Sequence, residues 1–278
     1  MIIWLASYPK SGNTYLRSFL SSYYYSEDGK FNFNHLSNIR QFPHLKFSKF
    51  QARTKEEASQ NWIFNQNEFF NKKNFNLTKT HNCLYPFKGN QFTTSNLSSG
   101  AIYIVRDPRN VISSMCNHYT MNFNEMYNKM IDENASLSTK NSDGDLSNFS
   151  FLGSWSNHYK SWKNNFEFKT LFVKYEDLEE KAHDEFWKIL TFIEELTGKN
   201  EPINKRKFKN AINSTNFSSL KQKEKLHGFK ESLTYKKDSK TNFFNLGFKN
   251  KWQQNLPEEI SSKIKEKFFN ELKELKYE

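Results

Sequence analysis

Short apolar runs alternate with amphipathic stretches along most of the chain. Runs typical of buried strands occupy residues 2–6 (IIWLA), 74–80 (NFNLTKT), 101–106 (AIYIVR) and 169–175 (KTLFVKY). Helical spacing follows three of these runs, at residues 13–25, 108–118 and 178–196. Parallel strands need crossover connections, which helices usually supply. The alternation therefore predicts an α/β fold with a central parallel sheet flanked by helices.

The pattern changes in the middle of the chain and towards its end. Asn, Ser and Asp crowd a stretch without usable periodicity, so we predict a flexible loop over about 121–150. Helical spacing returns at residues 204–212 and 217–226, and an amphipathic helix is predicted over 257–275. Because the strand and helix alternation resumes after the loop, residues 1–278 are predicted to form one domain.

The composition indicates a globular and strongly basic protein. The 278 residues include 28 Phe, and 17% of all residues are aromatic, which is enough for a sizeable core. The net charge of +11 would suit nucleic acid, a membrane surface or a polyanionic small molecule. The lysines are scattered, however, without the arginine and aromatic clustering of an RNA-binding surface. We therefore expect no nucleic acid partner.

The N-terminus and the cysteine and histidine usage bear on compartment and metals. The apolar run MIIWLA is too short for a signal peptide, and no later run predicts a transmembrane segment. Cys83 and Cys116 do not make a disulfide framework, so a cytoplasmic location with reduced thiols is expected. The histidines show no metal-ligand spacing, and no metal site is expected.

The stretch LASYPKSGNTYLR puts a tight turn between the first predicted strand and the first predicted helix. Such a turn directs backbone N–H groups and the positive end of the helix dipole at an anion. Gly12 permits close backbone approach, and Lys10 adds a full positive charge. The residues that would surround an anion are Lys10, Ser11, Gly12, Asn13 and Thr14. The alternative is an ordinary turn with an exposed lysine.

This loop differs from an ATP- or GTP-binding P-loop. That loop reads G-x-x-x-x-G-K followed by Ser or Thr, with the lysine directly after the last glycine. Here Lys10 comes before Gly12, and the earlier glycine is absent. The loop therefore predicts a phosphate-binding relative of the P-loop rather than a nucleoside triphosphatase.

Five segments, in order along the chain, resemble the sulfotransferases that use 3′-phosphoadenosine 5′-phosphosulfate (PAPS). YPKSGNTY is similar to the family loop YPKSGTTW, and its Tyr15 stands where the family tryptophan stacks on adenine. IYIVRDPRNVISSMCNHY (102–119) resembles R-x-x-K/R-D/N-V-x-x-S, which implies that Arg106 and Ser114 hold the 3′-phosphate of the donor. Taken alone, Arg106 could instead form a surface pair with Asp107.

The remaining segments extend the resemblance over most of the chain. LTKTHNC matches the family K-T-H, which implies that His81 is the general base, and imidazole also titrates near working pH. FLGSWSNHYKSWKNNFEFKTLFVKYEDL (151–178) resembles G-S-W-x-x-H-x-x-S-W followed by Y-E-D-L, which implies an adenine contact for Tyr175. STNF matches a T-x-F element and implies the same for Thr215. A Cys83–His81 nucleophile is an alternative that lacks a third orienting group.

One stretch departs from the family pattern. FFNLGFKNKW resembles R-K-G-x-x-G-x-W, but Asn245 and Leu246 stand where the family has an Arg-Lys pair for the 3′-phosphate. Gly247 keeps its place and is predicted to help bind the donor. Either Lys249 or Lys251 replaces the missing pair, or donor affinity is lower.

The resemblance implies a PAPS-dependent sulfotransferase with PAPS as co-substrate and no metal. His81 would take the proton of a hydroxyl or amine acceptor, while Lys10 neutralises charge on the departing bridging oxygen. Two alternatives stay open: a P-loop phosphotransferase that uses ATP or GTP with Mg²⁺, and a non-catalytic nucleotide- or polyanion-binding relative. The last predicted helix lacks the dimerisation motif of the animal cytosolic enzymes, so the oligomeric state is open.

The acceptor is not specified by any motif. Residues 31–72 and the loop 121–150 are expected to shape its pocket. Aromatic residues there, which include Phe31, Phe33, Phe42 and Trp62, would suit a sugar or an apolar alcohol equally well. The expected acceptor is a small molecule, or a glycan or lipid precursor.

Overall fold

A computed structural model of the protein describes residues 1–70, 74–138, 143–199, 201–229, 231, 234–236, 239–240 and 242–278. Within them, the strands are β1 (Ile2–Ser7), β2 (Arg40–Gln41), β3 (Asn76–Thr80), β4 (Ser98–Val105), β5 (Ser136–Leu137), β6 (Ser150–Phe151), β7 (Lys169–Lys174), β8 (Thr234–Lys236) and β9 (Ser239–Lys240). The helices are α1 (Asn13–Tyr25), α2 (Lys55–Gln60), α3 (Trp62–Phe69), α4 (Pro108–Tyr119), α5 (Phe123–Ile131), α6 (Trp155–Lys163), α7 (Tyr175–Glu180), α8 (Ala182–Thr197), α9 (Lys205–Thr215), α10 (Phe217–His227), α11 (Trp252–Asn255), α12 (Glu258–Lys267) and α13 (Phe269–Glu274). Short 3₁₀ helices occupy Phe33–Asn38, Leu45–Phe47 and Gly247–Lys249.

The chain divides into two compact units, each built from three stretches. The first unit comprises Met1–Tyr8, Ile39–Val105 and Asp132–Ile203. The second unit comprises Pro9–Asn38, Arg106–Ile131 and Asn204–Glu278. Two of the points where the chain passes between the units lie at strand ends. One follows Tyr8, the residue after β1, and the other directly follows β4.

The first unit contains a parallel sheet with the strand order β2-β3-β1-β4-β7. The central strand β1 pairs with β3 on one side and with β4 on the other. All six residues of β1 are buried. Strands covered on both faces read as continuous apolar runs, which is why IIWLA predicts this strand so clearly. The predicted α/β fold with a central parallel sheet and flanking helices is confirmed.

Helices of the first unit cover both faces of β4. Gly100 lies against α8, where an added Cβ would approach Leu196 Cδ1 to 2.5 Å. Tyr103 points to the other face, because side chains alternate along a strand. Its ring lies 6.2 Å from Tyr159 and 6.1 Å from Trp162 of α6, measured between centroids.

The second unit is mostly helical, with the antiparallel pair β8 and β9, and has an aromatic core. Its buried cluster consists of Phe31, Leu36, Leu220, Phe229 and Phe244. Helix α1 packs against α9, where the Phe19 ring meets the Phe208 ring edge-on at 5.7 Å. Helices α4, α5 and α12 contact one another. Among the described residues of both units, none of the helices has the length and apolar character that a membrane span requires.

The prediction of a loop over about 121–150 is wrong at its beginning. Residues Phe123–Ile131 form α5, whose Met126 and Met130 are fully buried one turn apart. The surrounding polar residues hide this two-methionine stripe from a search for periodicity. Further on, β5 pairs antiparallel with β6, and residues 139–142 lie outside the described part of the chain.

Two helices predicted as continuous are each interrupted. The predicted helix 178–196 is preceded by the separate helix α7, and the chain bends at Lys181 (φ −127°, ψ 41°) before α8. The predicted helix 257–275 breaks at Phe268, whose φ of −114° is not helical. Phe268 is fully buried, so tertiary packing accounts for the break.

Gly29→Ala tests the packing that follows α1. Gly29 has a φ of +86°, and an added Cβ would lie 2.2 Å from the carbonyl oxygen of Lys207. We expect the substitution to lower the free energy of unfolding by about 3 kcal/mol, because steric overlap adds to backbone strain. Urea unfolding followed by circular dichroism measures the loss.

Gly89→Ala is the matched control for that experiment. Gly89 also has a positive φ of +82°, but an added Cβ would have no atom within 4 Å. Strain alone should then cost about 1 kcal/mol. Equal losses in the two variants would contradict the packing argument.

Candidate active site

The loop between β1 and α1, which the sequence predicts to bind an anion, leads directly into a helix. Helix α1 begins after Gly12, whose φ of 103° is left-handed and which provides no side-chain cap. A helix that begins in this way directs its first amides at a ligand. Ser11 is 1% exposed, and its hydroxyl has no hydrogen-bond partner within the described structure. A buried hydroxyl of this kind fits a site that an anion completes.

Lys10 and Arg106 lie together in the second unit. Lys10 has a φ of 65°, and its ammonium nitrogen lies 3.7 Å from the centroid of the Phe243 ring. This cation–π contact holds the charge above an apolar surface. Arg106 is buried, and its Nη1 donates to the backbone carbonyl of Lys10 at 3.2 Å. The structure therefore brings both predicted cations to one loop.

Asp107, the surface partner that the sequence offers for Arg106, is engaged by helix α4. Asp107 caps α4 by accepting from the backbone N–H of Arg109 at 2.9 Å. The same carboxylate binds Arg109 Nη2 at 2.8 Å, and both side chains are buried. Asp107 is thus engaged by the helix that it caps, while Arg106 is turned toward the anion loop.

Arg17 is a buried cation that the sequence analysis missed. It lies one turn after Thr14 on α1 and is 4% exposed. Arg17 Nη1 donates to Glu231 Oε1 at 2.8 Å, and Thr14 Oγ1 donates to Glu231 Oε2 at 3.5 Å. The spacing of three residues from Thr14 is the signal that could have found it, since such residues share a helix face.

The segment from Asn245 to Trp252 runs antiparallel along one face of α4. Asn245 Nδ2 donates to Asn117 Oδ1 at 3.2 Å at one end. At the other end, Trp252 N donates to Asn110 Oδ1 at 2.9 Å. Ser114 lies between Asn110 and Asn117 on the same face of α4 and is half-buried.

Gly247 lies midway along this segment. Its φ is +53°, and an added Cβ would lie 2.5 Å from the Phe217 ring. Only glycine suits both the conformation and the contact. Phe217 is the aromatic residue of the STNF element. The sequence predicted a role for Thr215 of that element and none for Phe217.

The predicted adenine contacts have different surroundings. Tyr15 packs, partly buried, against the aromatic core cluster of the second unit. Thr215 is fully buried, and its hydroxyl donates to the carbonyl of Ala211 at 2.7 Å within its own helix. Tyr175 belongs to the first unit, where it is the buried first residue of α7. An adenine contact for these three residues stays a prediction.

His81 lies in the first unit, directly after β3. Its Nδ1 lies 2.7 Å from the backbone carbonyl of Ser7 and 3.3 Å from the Ser7 hydroxyl. A carbonyl only accepts, so Nδ1 must carry the proton. This tautomer puts the basic lone pair on Nε2. The orientation suits a general base.

His158 supports the backbone of His81. Its Nε2 donates to the His81 carbonyl at 3.1 Å, and its Nδ1 accepts from the Tyr103 hydroxyl at 2.9 Å. His158 is fully buried, and burial lowers its pKa to about 4. It is therefore neutral at pH 7, with both ring nitrogens engaged.

Two neighbours of His158 on α6 extend this support. Trp162 Nε1 donates to the carbonyl of Asn82 at 3.0 Å. Ser161 Oγ accepts from the backbone N–H of Leu84 at 3.0 Å. The H-x-x-S-W spacing puts all three supporting side chains on one helix face, a signal that was present in the sequence. The loop that carries His81 is thus bound at successive peptide groups.

Cys83 is unsuited to be a nucleophile. It is fully buried, and burial raises its pKa to about 11. The thiol is therefore protonated at neutral pH, whereas the thiolate is the reactive form. Among the described residues, no three His, Cys, Asp or Glu side chains gather as they would around a metal ion.

The aromatic residues expected to shape an acceptor pocket belong to cores. Phe42 and Trp62 are each 1% exposed and pack around Phe92 in the first unit. Phe31 is buried in the aromatic cluster of the second unit, and Phe33 packs against that cluster. Phe42, Trp62 and Phe31 are therefore enclosed by protein, and the expectation that they line an accessible pocket is corrected.

Comparison with known proteins decides the family. The sequence model of the sulfotransferase domain matches residues 2–276. The chain belongs to the sulfotransferase family. The resemblance stated from the five sequence segments is thereby confirmed. Comparison with curated protein sequences gave no match.

Solved structures share the sulfotransferase fold. Retinol dehydratase in complex with retinol and PAP has a TM-score of 0.61 and 16% identity, over 98% of this chain and 81% of that chain. Retinol dehydratase in complex with androsterone and PAP has a TM-score of 0.59 and 16% identity, over 98% of this chain and 80% of that chain. Mouse sulfotransferase SULT7A1 complexed with PAP has a TM-score of 0.57 and 20% identity, over 97% of this chain and 83% of that chain. At these identities the likeness establishes the fold.

His158→Gln tests the buried imidazole of this sulfotransferase. The pKa of His158 is about 4 in the folded state and 6.5 when exposed, so the unfolded chain binds the proton more tightly. Stability from the neutral imidazole is fully present above pH 6.5. It should fall by up to about 3 kcal/mol as the pH is lowered toward 4. Urea unfolding at several pH values measures the difference between wild type and variant.

The exposed His183 provides the control, as His183→Gln. The His158→Gln variant should lose this part of the pH dependence, and the His183→Gln variant should keep it. Identical pH profiles for wild type and His158→Gln would contradict the buried neutral imidazole.

Proposed function

We propose that this protein transfers a sulfuryl group from PAPS to a hydroxyl or amine acceptor. The observation that carries the proposal is one loop that combines Lys10, the buried Arg106 and the unpartnered hydroxyl of Ser11. The two cations and the buried hydroxyl would suit an anionic ligand, because all three groups can donate hydrogen bonds to it and the cations add charge attraction. The solved relatives crystallised with PAP are consistent with a 3′-phosphorylated nucleotide as that anion.

The donor residues divide by the part of the nucleotide that they would hold. The residues proposed for the sulfated end are Lys10, Ser11, Gly12, Asn13 and Thr14. The residues proposed for the 3′-phosphate are Arg106, Ser114 and Gly247. The residues proposed for the adenine are Tyr15, Tyr175 and Thr215. PAPS supplies the activated sulfuryl group, and the chain supplies binding, charge and proton transfer.

Lys10 would neutralise charge that develops on the departing bridging oxygen. Its ammonium already lies above the Phe243 ring, so little reorganisation is needed when the donor binds. The amides at the start of α1 would add to this field. The position of Lys10 before Gly12 argues against the alternative of a P-loop phosphotransferase.

His81 would take the proton from the acceptor at Nε2. The Nδ1 contact with the Ser7 carbonyl fixes the tautomer that this role needs. We propose a small-molecule acceptor, in line with the retinol and androsterone bound by retinol dehydratase, and glycan or lipid precursors are further candidates. A cytoplasmic site of action is part of this proposal.

Thermal unfolding with ligands in parallel wells tests the donor. We expect adenosine 3′,5′-bisphosphate to raise the melting temperature, because a ligand at about 100 times its dissociation constant adds roughly 2.7 kcal/mol to stability. Two further wells contain other ligands, one ATP with Mg²⁺ and the other heparin. Stabilisation by ATP with Mg²⁺ alone would support a phosphotransferase. Stabilisation by heparin alone would support a polyanion-binding protein without turnover.

His81→Ala tests the proposed base. Sulfuryl transfer should fall by about 10² to 10⁴-fold, because proton removal at the acceptor is lost. Binding of adenosine 3′,5′-bisphosphate, measured by calorimetry, should be nearly unchanged. His183→Ala is the control, since that histidine is exposed. Equal loss of binding and transfer in His81→Ala would indicate a structural role instead.

A further inference from the structure

We propose that Lys221 supplies positive charge to the 3′-phosphate of the donor, in place of the Arg-Lys pair absent at Asn245 and Leu246. This inference rests on the proposed function. The candidates that the sequence offers for this role are Lys249 and Lys251, and Lys221 is not among them. Its distance from position 245 along the chain explains why sequence spacing does not reveal it.

Lys221 reaches the backbone at the position of the missing pair. Its Nζ donates to the carbonyl of Asn245 at 2.8 Å. An ammonium group has three donors, so it can keep this bond and still donate to a phosphate oxygen. Lysine binds phosphate as a point charge and does not need the planar fork of arginine.

Helix α10 fixes Lys221 relative to this stretch of chain. Phe217 lies against Gly247, where an added Cβ would be 2.5 Å from its ring. The Glu224 carboxylate accepts from the backbone N–H of Phe243 at 2.7 Å and from that of Phe244 at 2.9 Å. Because Phe217, Lys221 and Glu224 recur at helical spacing, one face of α10 carries all of these contacts.

The same stretch connects Lys221 to the predicted phosphate residues on α4. The side chain of Asn245 donates to Asn117 Oδ1 at 3.2 Å. Asn117 lies one turn after Ser114 on the same helix face. The carbonyl that binds Lys221 and the amide that binds Asn117 belong to one residue, so Asn245 connects Lys221 to the helix face that carries Ser114.

Lys249 and Lys251 lie toward the other end of α4. Asn250 Nδ2 donates to the carbonyl of Asn110 at 2.9 Å, and Trp252 N donates to Asn110 Oδ1 at 2.9 Å. Asn110 precedes Ser114 by one turn. The Lys221 side chain contacts position 245 directly, and this contact favours it over the two lysines near Asn110.

The test compares two nucleotides that differ only in the 3′-phosphate. Dissociation constants of adenosine 3′,5′-bisphosphate and adenosine 5′-monophosphate are measured by calorimetry for wild type and Lys221→Gln. The side-chain amide of glutamine can also donate to the Asn245 carbonyl. The substitution therefore removes the charge and retains a hydrogen-bond donor. We expect affinity for the bisphosphate to fall by roughly tenfold and affinity for the monophosphate to stay unchanged.

Lys223→Gln is the matched control, because it removes the same charge from a different face of α10. It should leave the ratio of the two dissociation constants at the wild-type value. Arg106→Ala is the positive control and should reduce the preference for the bisphosphate over the monophosphate. In the Lys221→Gln background, Asn245→Arg should restore the preference for the bisphosphate, since it returns a cation to the same place.

The outcomes separate this inference from the proposed function. A wild-type protein that binds the two nucleotides equally would contradict the proposed donor. A wild-type preference that Lys221→Gln leaves intact would overturn the role of Lys221 while the donor stands. Equal weakening of both nucleotides in Lys221→Gln would also overturn it, because that pattern indicates a structural role.

Discussion

The hydrogen bond from Arg106 to the carbonyl of Lys10 is the contact on which the proposed donor loop depends. It joins residues that are 96 positions apart and that each follow a strand of the parallel sheet. The residue that accepts this bond has a left-handed backbone, and its ammonium lies over the Phe243 ring. The proposed donor would bring its anionic groups to a loop that carries one of these cations and contacts the other.

A second constraint acts on the loop that follows β3. Its peptide groups are bound by His158, Ser161 and Trp162, all on one face of α6. His158 is held neutral by burial, so it acts as a rigid donor and acceptor rather than as a titrating group at neutral pH. The general base proposed at His81 thus has a fixed backbone and a fixed tautomer. Pre-organisation of this kind is what catalytic groups need from the surrounding protein.

In the stretch after α10, the residues that hold the backbone differ from the residue proposed to supply the charge. Asn245 keeps the backbone in place through Asn117, and Gly247 keeps the close approach of Phe217. The charge itself is proposed to come from Lys221 on the neighbouring helix. A point charge on a flexible side chain can act from several backbone positions, whereas the backbone geometry of the loop cannot be supplied from elsewhere.

The sequence by itself predicted the parallel sheet and the family, which are confirmed, and an anion-binding loop, which stays a prediction. These features rest on local patterns: β1 reads as an apolar run because both its faces are buried, and the loop from Lys10 to Thr14 is contiguous. Helix α5 was missed because two buried methionines among polar residues give too weak a period. The break at Phe268 was missed because this residue is fully buried and tertiary packing ends the helix there, whereas nothing in the structure explains the break at the exposed Lys181.

Only the tertiary structure decided the partners of the site residues. The tautomer of His81 follows from the carbonyl of Ser7, and the place of Lys221 follows from the carbonyl of Asn245. Phe42 and Trp62 proved to be core residues for the same reason. A sequence pattern records which side chains are apolar or charged, but hydrogen bonds between distant segments depend on how those segments pack. That packing is a property of the whole chain.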